Sequence, residues 1–173
     1  SKVASTENVC FVVEKGKTAA TKIQLFSADT NRFYKLFPTK DAPTAEISGI
    51  RMHRVQERSP WEDTEDKIKC VEPLSGMVLD TCCGLGYTAI AAAVSKKVER
   101  VYTFERDKNM VLLADYNPWS QPLFNDIKIK LSVDDVSTAI SFFDGGFFSA
   151  IIHDPPKMQL SPELYSLEFY RHL

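Results

Sequence analysis

Cysteine is scarce in this chain and badly spaced for metal or cross-link. The four among 173 residues are Cys10, Cys70, Cys82 and Cys83. None forms a Cys-x-x-Cys pair, which argues against zinc modules and disulfide scaffolds, and no metal site is expected. Adjacent Cys82 and Cys83 read as small packing residues. Long apolar runs are missing too, since none approaches the roughly 20 residues that a membrane-crossing helix needs. No cleavable leader is visible behind Ser1, and there is neither an internal repeat nor a low-complexity tract. What is present, 44% hydrophobic and 25% charged residues, is ordinary for a globular protein of one domain with a small appendage. A cytoplasmic location is the expectation, with an organellar one left open.

The most informative stretch is Val78-Leu79-Asp80-Thr81-Cys82-Cys83-Gly84-Leu85-Gly86-Tyr87-Thr88. It reads as a buried strand, a glycine-rich turn and a helix start. Gly84 and Gly86 lack a Cβ, so the backbone there can pass close to a ligand. Asp80 ends the strand, where a carboxylate can accept from a cationic or hydroxylated ligand. Behind it, Ala89 to Val94 is small and apolar enough to pack tightly on a sheet. Further strands are expected at Arg100 to Glu105, Ile127 to Leu131 and Ser149 to Ile152. The first two of these precede helical patterns over Asn109 to Tyr116 and Ser137 to Phe143. Strands alternating with helices predict a Rossmann-like, doubly wound parallel sheet, whose ligands bind at the carboxyl ends of the strands. Asp80, Glu105, Asp135 and Asp154 would gather on that edge.

With these residues in order, the chain resembles a class I S-adenosylmethionine-dependent methyltransferase. Within that class it is similar to an uncharacterised archaeal-type family of predicted methyltransferases with plant and fungal relatives. The segments that carry the likeness are Glu46 to Arg54, Pro60 to Asp63, Leu79 to Ile90, Asn117 to Ser120, His153 to Pro156 and Glu163 to Ser166, covering roughly residues 43 to 173. The resemblance implies S-adenosyl-L-methionine as cofactor and an acceptor that is RNA or a small molecule. Its cofactor contacts would be Asp80 on the ammonium group, with Cys82, Gly84, Leu85, Gly86, Tyr87 and Thr88 forming the loop. Glu105, beside Arg106, lies 19 positions after Gly86, near the roughly 20-residue offset of a ribose-binding acid. Asp135 would accept from the adenine amine near Val136, with Asp134 as the alternative. Many members of the class have three glycines, and Cys82 stands in the first of those places.

The resemblance makes Asp154, Pro155 and Pro156 the candidate catalytic element. In amino-methylating members an Asp/Asn-Pro-Pro-aromatic turn grips the target nitrogen. Proline suits such a turn because its φ is fixed. Here Lys157 replaces the aromatic, which weakens the case for a nucleobase target. Arg51, His53, Arg54, His153 and Lys157 are candidate substrate contacts, although strand alternation turns His153 away from Asp154 and favours a packed histidine. Trp119 with Pro118 reads as a plug against the sheet edge. Three rivals stay open. Gly84-Leu85-Gly86-Tyr87-Thr88-Ala89 also fits a dinucleotide loop, so an NAD-dependent enzyme would explain Glu105 but not Asp80 or the proline pair. An aminopropyl transferase would share the cofactor type. A non-catalytic binding or assembly module would explain Lys157.

Residues 1–58 are expected to form a small β-rich unit, with strands at Val9 to Val13, Thr21 to Phe26 and Arg32 to Phe37. That unit would serve substrate or partner, and 59–173 would form the methyltransferase-like domain. Charge is unevenly shared. Residues 1–60 hold 10 Lys/Arg and 6 Asp/Glu, and residues 61–173 hold 11 and 17. A basic front on an acidic body points to an anionic partner at the front. The class I fold has further strands after the fourth, so a later segment or another chain is expected to complete the sheet beyond Leu173.

Overall fold

The computed structural model describes residues 8–173; residues 1–7 of the expected β-rich unit lie outside the described residues. In chain order, β1 (Phe11–Val12) and β2 (Thr21–Lys22) form a short antiparallel pair. An antiparallel sheet follows from β3 (Gln24–Ser27), β4 (Arg32–Phe37), β5 (Thr44–Ile47) and β6 (Ile50–Arg51), joined in that order. The expected Thr21 to Phe26 strand is therefore broken at Ile23, whose buried side chain turns into the core. The β5–β6 hairpin adds two strands to the three expected in this unit. Its turn uses Ser48 and Gly49 at φ 47° and 86°.

A 12-residue helix, α1 (Pro60–Val71), comes next. Ser59 and Glu62 cap it reciprocally, and Pro60 sits in its first turn where no N–H is missed. The parallel sheet is built from β7 (Gly76–Asp80), β8 (Val98–Phe104), β9 (Ile129–Ser132) and β10 (Ala150–Ile152) in the order β10-β7-β8-β9. Helices α2 (Tyr87–Ala93), α3 (Lys108–Asp115), α4 (Gln121–Asn125), α5 (Val136–Ala139) and α6 (Leu167–His172) connect or follow the strands. The expected doubly wound sheet and the antiparallel appendage are both present.

Strand alternation divides the core between the two sheet faces. Val78 and Val101 join the small residues of α2 (Ala89, Ala92, Ala93) and, from the antiparallel sheet, Tyr34, Leu36 and Ala45 in one cluster. Leu79 and Phe104 face the other way, against Val136, Ile140, Leu164 and Phe169. One apolar cluster thus spans both sheets. The tie is also polar: Tyr34 Oη donates to Asp107 Oδ2 at 2.6 Å, and Tyr87 Oη to the Pro43 carbonyl at 2.7 Å. Trp119 does not plug the sheet edge. It stays 40% exposed, with its ring 5.4 Å from that of Trp61 on α1. Among the described residues, no helix is long and apolar enough to cross a membrane.

Gly86 marks the tightest point of this packing. It begins α2 at φ 82°, and a Cβ there would lie 2.8 Å from Leu123 Cδ2. Gly86→Ala should therefore cost about 2–3 kcal/mol through overpacking and left-handed backbone strain. Gly145→Ala, with open space around it, should cost under about 0.5 kcal/mol. Urea unfolding of the two variants compares them directly.

Candidate functional site

A cavity of about 360 Å³ opens where the carboxyl ends of the parallel strands meet the β5–β6 hairpin. Such a volume lies in the range of small-molecule and cofactor sites. Its floor is the turn after β7. Thr81, Cys82, Cys83 and Gly84 line it, followed by Tyr87 and Thr88 at the start of α2. Gly84 holds φ 55° and faces the cavity, where an added Cβ would meet only Met52 Cε at 3.7 Å. The two glycines thus differ in what they permit: Gly84 shapes the cavity wall, Gly86 admits Leu123.

Glu105 is the anchor of the wall. Its Oε2 accepts from Gly84 N–H and its Oε1 from Asp107 N–H, both at 2.9 Å. Burial pushes its pKa up to about 7 despite those two donors. Asp135 caps α5 through Ser137 N–H at 2.9 Å and lies 3.5 Å from Arg106. Burial alone would raise its pKa, but the Ser137 bonds and Arg106 outweigh this and lower it. Asp134 lines the same wall. Arg106 also reaches Glu163 at 2.6 Å, Ser161 Oγ at 3.0 Å and the Leu160 carbonyl at 3.3 Å. It thereby straps the segment after β10 across the cavity.

Asp80 departs from expectation. It is fully buried, does not line the cavity, and accepts from Thr88 Oγ1 at 3.0 Å and Thr103 Oγ1 at 2.6 Å. Burial pushes its pKa up to about 6. Its carboxylate braces the first turn of α2 against β8. Leu85 and Gly86 are likewise set back from the cavity. Burial holds Cys82 up at about 12, which keeps its thiol protonated and poor as a nucleophile.

Where β10 ends, the cavity is lined by Asp154, Pro155, Pro156 and Lys157, of which Asp154 and Lys157 are exposed. Asp154 Oδ2 is bound by Lys67 Nζ at 2.6 Å, and Lys67 also reaches Asp63 at 2.8 Å. Burial works against the Lys67 charge, but its bonds to Asp154 and Asp63 prevail and raise its pKa. The Pro156 carbonyl accepts from Tyr165 Oη at 2.7 Å. His53 lines the cavity, with Nδ1 2.9 Å from Thr44 Oγ1 and its ring 5.2 Å from that of Tyr87. Burial, with the Lys67 charge next, pulls its pKa down to about 4. Arg51 lines the mouth, whereas Arg54 is exposed and away from it. His153 is also off the cavity: Thr81 Oγ1 and the Leu164 carbonyl engage its nitrogens at 2.8 and 3.1 Å, and Phe169 and Tyr170 pack against its ring. That is the packed histidine that strand alternation favours.

Of the four acids expected on one rim, Glu105, Asp135 and Asp154 line the cavity and Asp80 stands behind it. The residue missed from sequence is Lys67. Its spacing from Asp63 signals one helix face, but nothing in the sequence links it to Asp154, 87 positions on. Asp107 was missed too. It caps α3 through Asn109 N–H and lines the cavity. Among the described residues no group of side chains is arranged to hold a metal ion.

No protein-family model matches the chain. It is 42% identical over 173 residues to an uncharacterised protein of Methanocaldococcus jannaschii, matching 99% of this chain and 57% of that protein. The chain thus spans a little over half the length of this curated relative. Among solved structures it is similar to a spermidine synthase in complex with the transition state analogue AdoDATO, with a TM-score of 0.69 and 16% identity over 94% of this chain and 58% of the other. A spermidine synthase from Thermotoga maritima gives a TM-score of 0.65 and 17% identity over 94% and 57%. These likenesses show a fold of the Rossmann-like, class I methyltransferase type, with the antiparallel unit included in the match.

The low pKa of His53 has a measurable consequence. In the unfolded chain a histidine takes its proton near 6.5, but folded His53 does so near 4. Between those values the unfolded chain binds more protons, so stability present above pH 6.5 is lost as pH falls through 4. Glu105 and Asp80, raised by burial, act in the opposite direction over an overlapping interval. Urea unfolding of wild type and His53→Gln from pH 4 to 7 should therefore show a shallower loss on acidification in the variant.

Proposed function

We propose that this chain forms the catalytic core of a transferase that carries a methyl group from S-adenosyl-L-methionine to a nitrogen acceptor. The observation that carries the reading is Glu105. Pinned by the Gly84 and Asp107 N–H groups, it faces a cavity that ends at Asp154-Pro155-Pro156. The donor set fits a nucleoside cofactor. Glu105 would accept from the ribose hydroxyls, and Asp135 or Asp134 from the adenine amine beside Val136. Gly84, Tyr87 and Thr88 would flank the amino-acid part. Asp80 would act through α2, by holding Thr88 in place. When bound, the sulfonium supplies an activated methyl group.

Asp154 would orient the acceptor. Lys67 occupies its Oδ2, and among the described residues no hydrogen bond engages Oδ1, which is left to accept from an incoming N–H. Lys67 fixes the direction of the carboxylate. The contribution is positioning and charge placement. His53, kept neutral, offers no competing positive charge at that end.

Aminopropyl transfer is a second reading, favoured by the likeness to spermidine synthases across both sheets. Against it stand Arg32, Arg51 and Lys157 on the cavity lining, since cations there repel a polyamine acceptor. An aminopropyl donor and NAD, titrated beside S-adenosylmethionine, separate these readings.

Glu105→Gln should weaken S-adenosylmethionine binding by about 10-fold or more at pH 8, the scale of a lost charge-assisted hydrogen bond. Wild-type affinity should rise as pH climbs through about 7, where Glu105 loses its proton, and this rise should be missing in Glu105→Gln. Calorimetric titration reads both. Asp154→Asn should lower transfer of a tritiated methyl group into fractionated cell pools by about 100-fold with donor affinity within threefold. Unchanged transfer in that variant removes Asp154 from the reaction.

A further inference from the structure

The lining of the cavity is segregated by charge. On the inner wall the acids are already engaged: Glu105 by two backbone N–H groups, Asp107 by Tyr34 and Asn109, Asp135 by Ser137 and Arg106, and Asp154 by Lys67. Asp134 stays beside Asp135, where its Oδ1 accepts from the Asp135 N–H. The outer lining is different. Arg32 and Lys157 both line the cavity and are exposed, and among the described residues neither side chain has an ion pair or a hydrogen bond. Arg51 joins them. Its guanidinium sits 3.9 Å over the Phe37 ring, and it shares Glu46 with Lys35, which leaves that trio one positive charge in excess.

Unpaired cations at the entrance of a cavity whose acids already have hydrogen-bond partners attract an anion and repel a polyamine. We propose that the acceptor is a small molecule carrying a carboxylate or phosphate group, held at the mouth by Arg32, Arg51 and Lys157 while its nucleophilic nitrogen faces Asp154. This rests on the donor-site reading above and adds the class of acceptor. Arg32 and Arg51 come from the antiparallel sheet and Lys157 from the turn after β10, so the appended unit supplies most of the specificity. The cationic set is small. Three side chains match one or two negative charges, whereas RNA calls for a broad basic surface, and residues 61–173 are net acidic.

The test uses the full chain saturated with S-adenosylhomocysteine, at fixed ionic strength set with chloride. Malonate, inorganic phosphate, the diamine cadaverine and a short single-stranded RNA are titrated calorimetrically. Binding of malonate or phosphate is expected, with the tighter of the two identifying the group. The Arg32→Gln/Lys157→Gln variant should weaken it at least 10-fold with S-adenosylhomocysteine affinity unchanged, and Arg32→Lys should stay within threefold. Among the described residues neither side chain has a partner to lose, so both variants should fold as wild type does, which their thermal transitions verify. Tighter binding of cadaverine or RNA than of either anion overturns the proposal. So does anion binding that survives in the double variant, or no anion binding at all. If S-adenosylhomocysteine itself fails to bind, the donor reading falls and this one with it; donor binding without anion binding sinks this one alone.

Discussion

The side-chain amide of Asn117 is the joint on which the site depends. It is fully buried, and its nitrogen donates to Tyr87 Oη and to Ser120 Oγ, each at 2.7 Å. Tyr87 in turn donates to the Pro43 carbonyl, and Ser120 to the carbonyl of Leu85, inside the glycine turn. One amide therefore connects three things: the glycine turn, the first residue of α2 and the lead-in to β5. A buried amide is costly unless satisfied. Among the described residues no buried side-chain nitrogen or oxygen lacks a partner. The network thus fixes the turn against the antiparallel sheet, and that sheet supplies one wall of the cavity. Truncating Asn117 would strand Tyr87 and Ser120 together, which is why such networks act as units.

Burial also organises the charges. Asp80 and Glu105 end adjacent strands, yet the fold puts them to different uses. Asp80 disappears beneath the turn and receives two threonine hydroxyls, so it serves as a brace. Glu105 sits one step further out, receives only backbone N–H groups, and keeps a face on the cavity. Both are pushed up by burial, to about 6 and about 7. The difference between brace and cavity wall therefore lies in which way each carboxylate points, not in how strongly it is perturbed. Asp154 is the contrasting case, since it is exposed and its charge is balanced by Lys67.

Much of this was legible in the sequence, and the failures have definite causes. The parallel strands and the helices after them are visible because apolar runs and turn residues alternate along the chain. The acids at the strand ends follow from that reading. The β5–β6 hairpin was not among the expected strands, because its strands are short and its pairing becomes apparent only against β4. Helix α1 had a local signal in Ser59-Pro60-Trp61-Glu62, a capping box with proline in the first turn. The Lys67–Asp154 pair had none, because ion pairs between distant elements leave no periodicity. The inward turn of Asp80 was likewise hidden, since a carboxylate at a strand end can face a ligand or a neighbouring threonine with the same sequence pattern.

These features meet at the boundary between the two sheets. The parallel sheet supplies Glu105, Asp135 and Asp154 to the cavity lining. The antiparallel sheet adds Arg32, Arg51 and His53, which face the same space from the opposite side. Their separation is maintained by Tyr34 on Asp107 and Tyr87 on Pro43, each a hydroxyl reaching across the boundary from within the shared core. A rigid joint of this kind lets one wall vary in charge without disturbing the other. The charge of the antiparallel wall can change in this way because Arg32 and Arg51 take no part in holding the glycine turn in place.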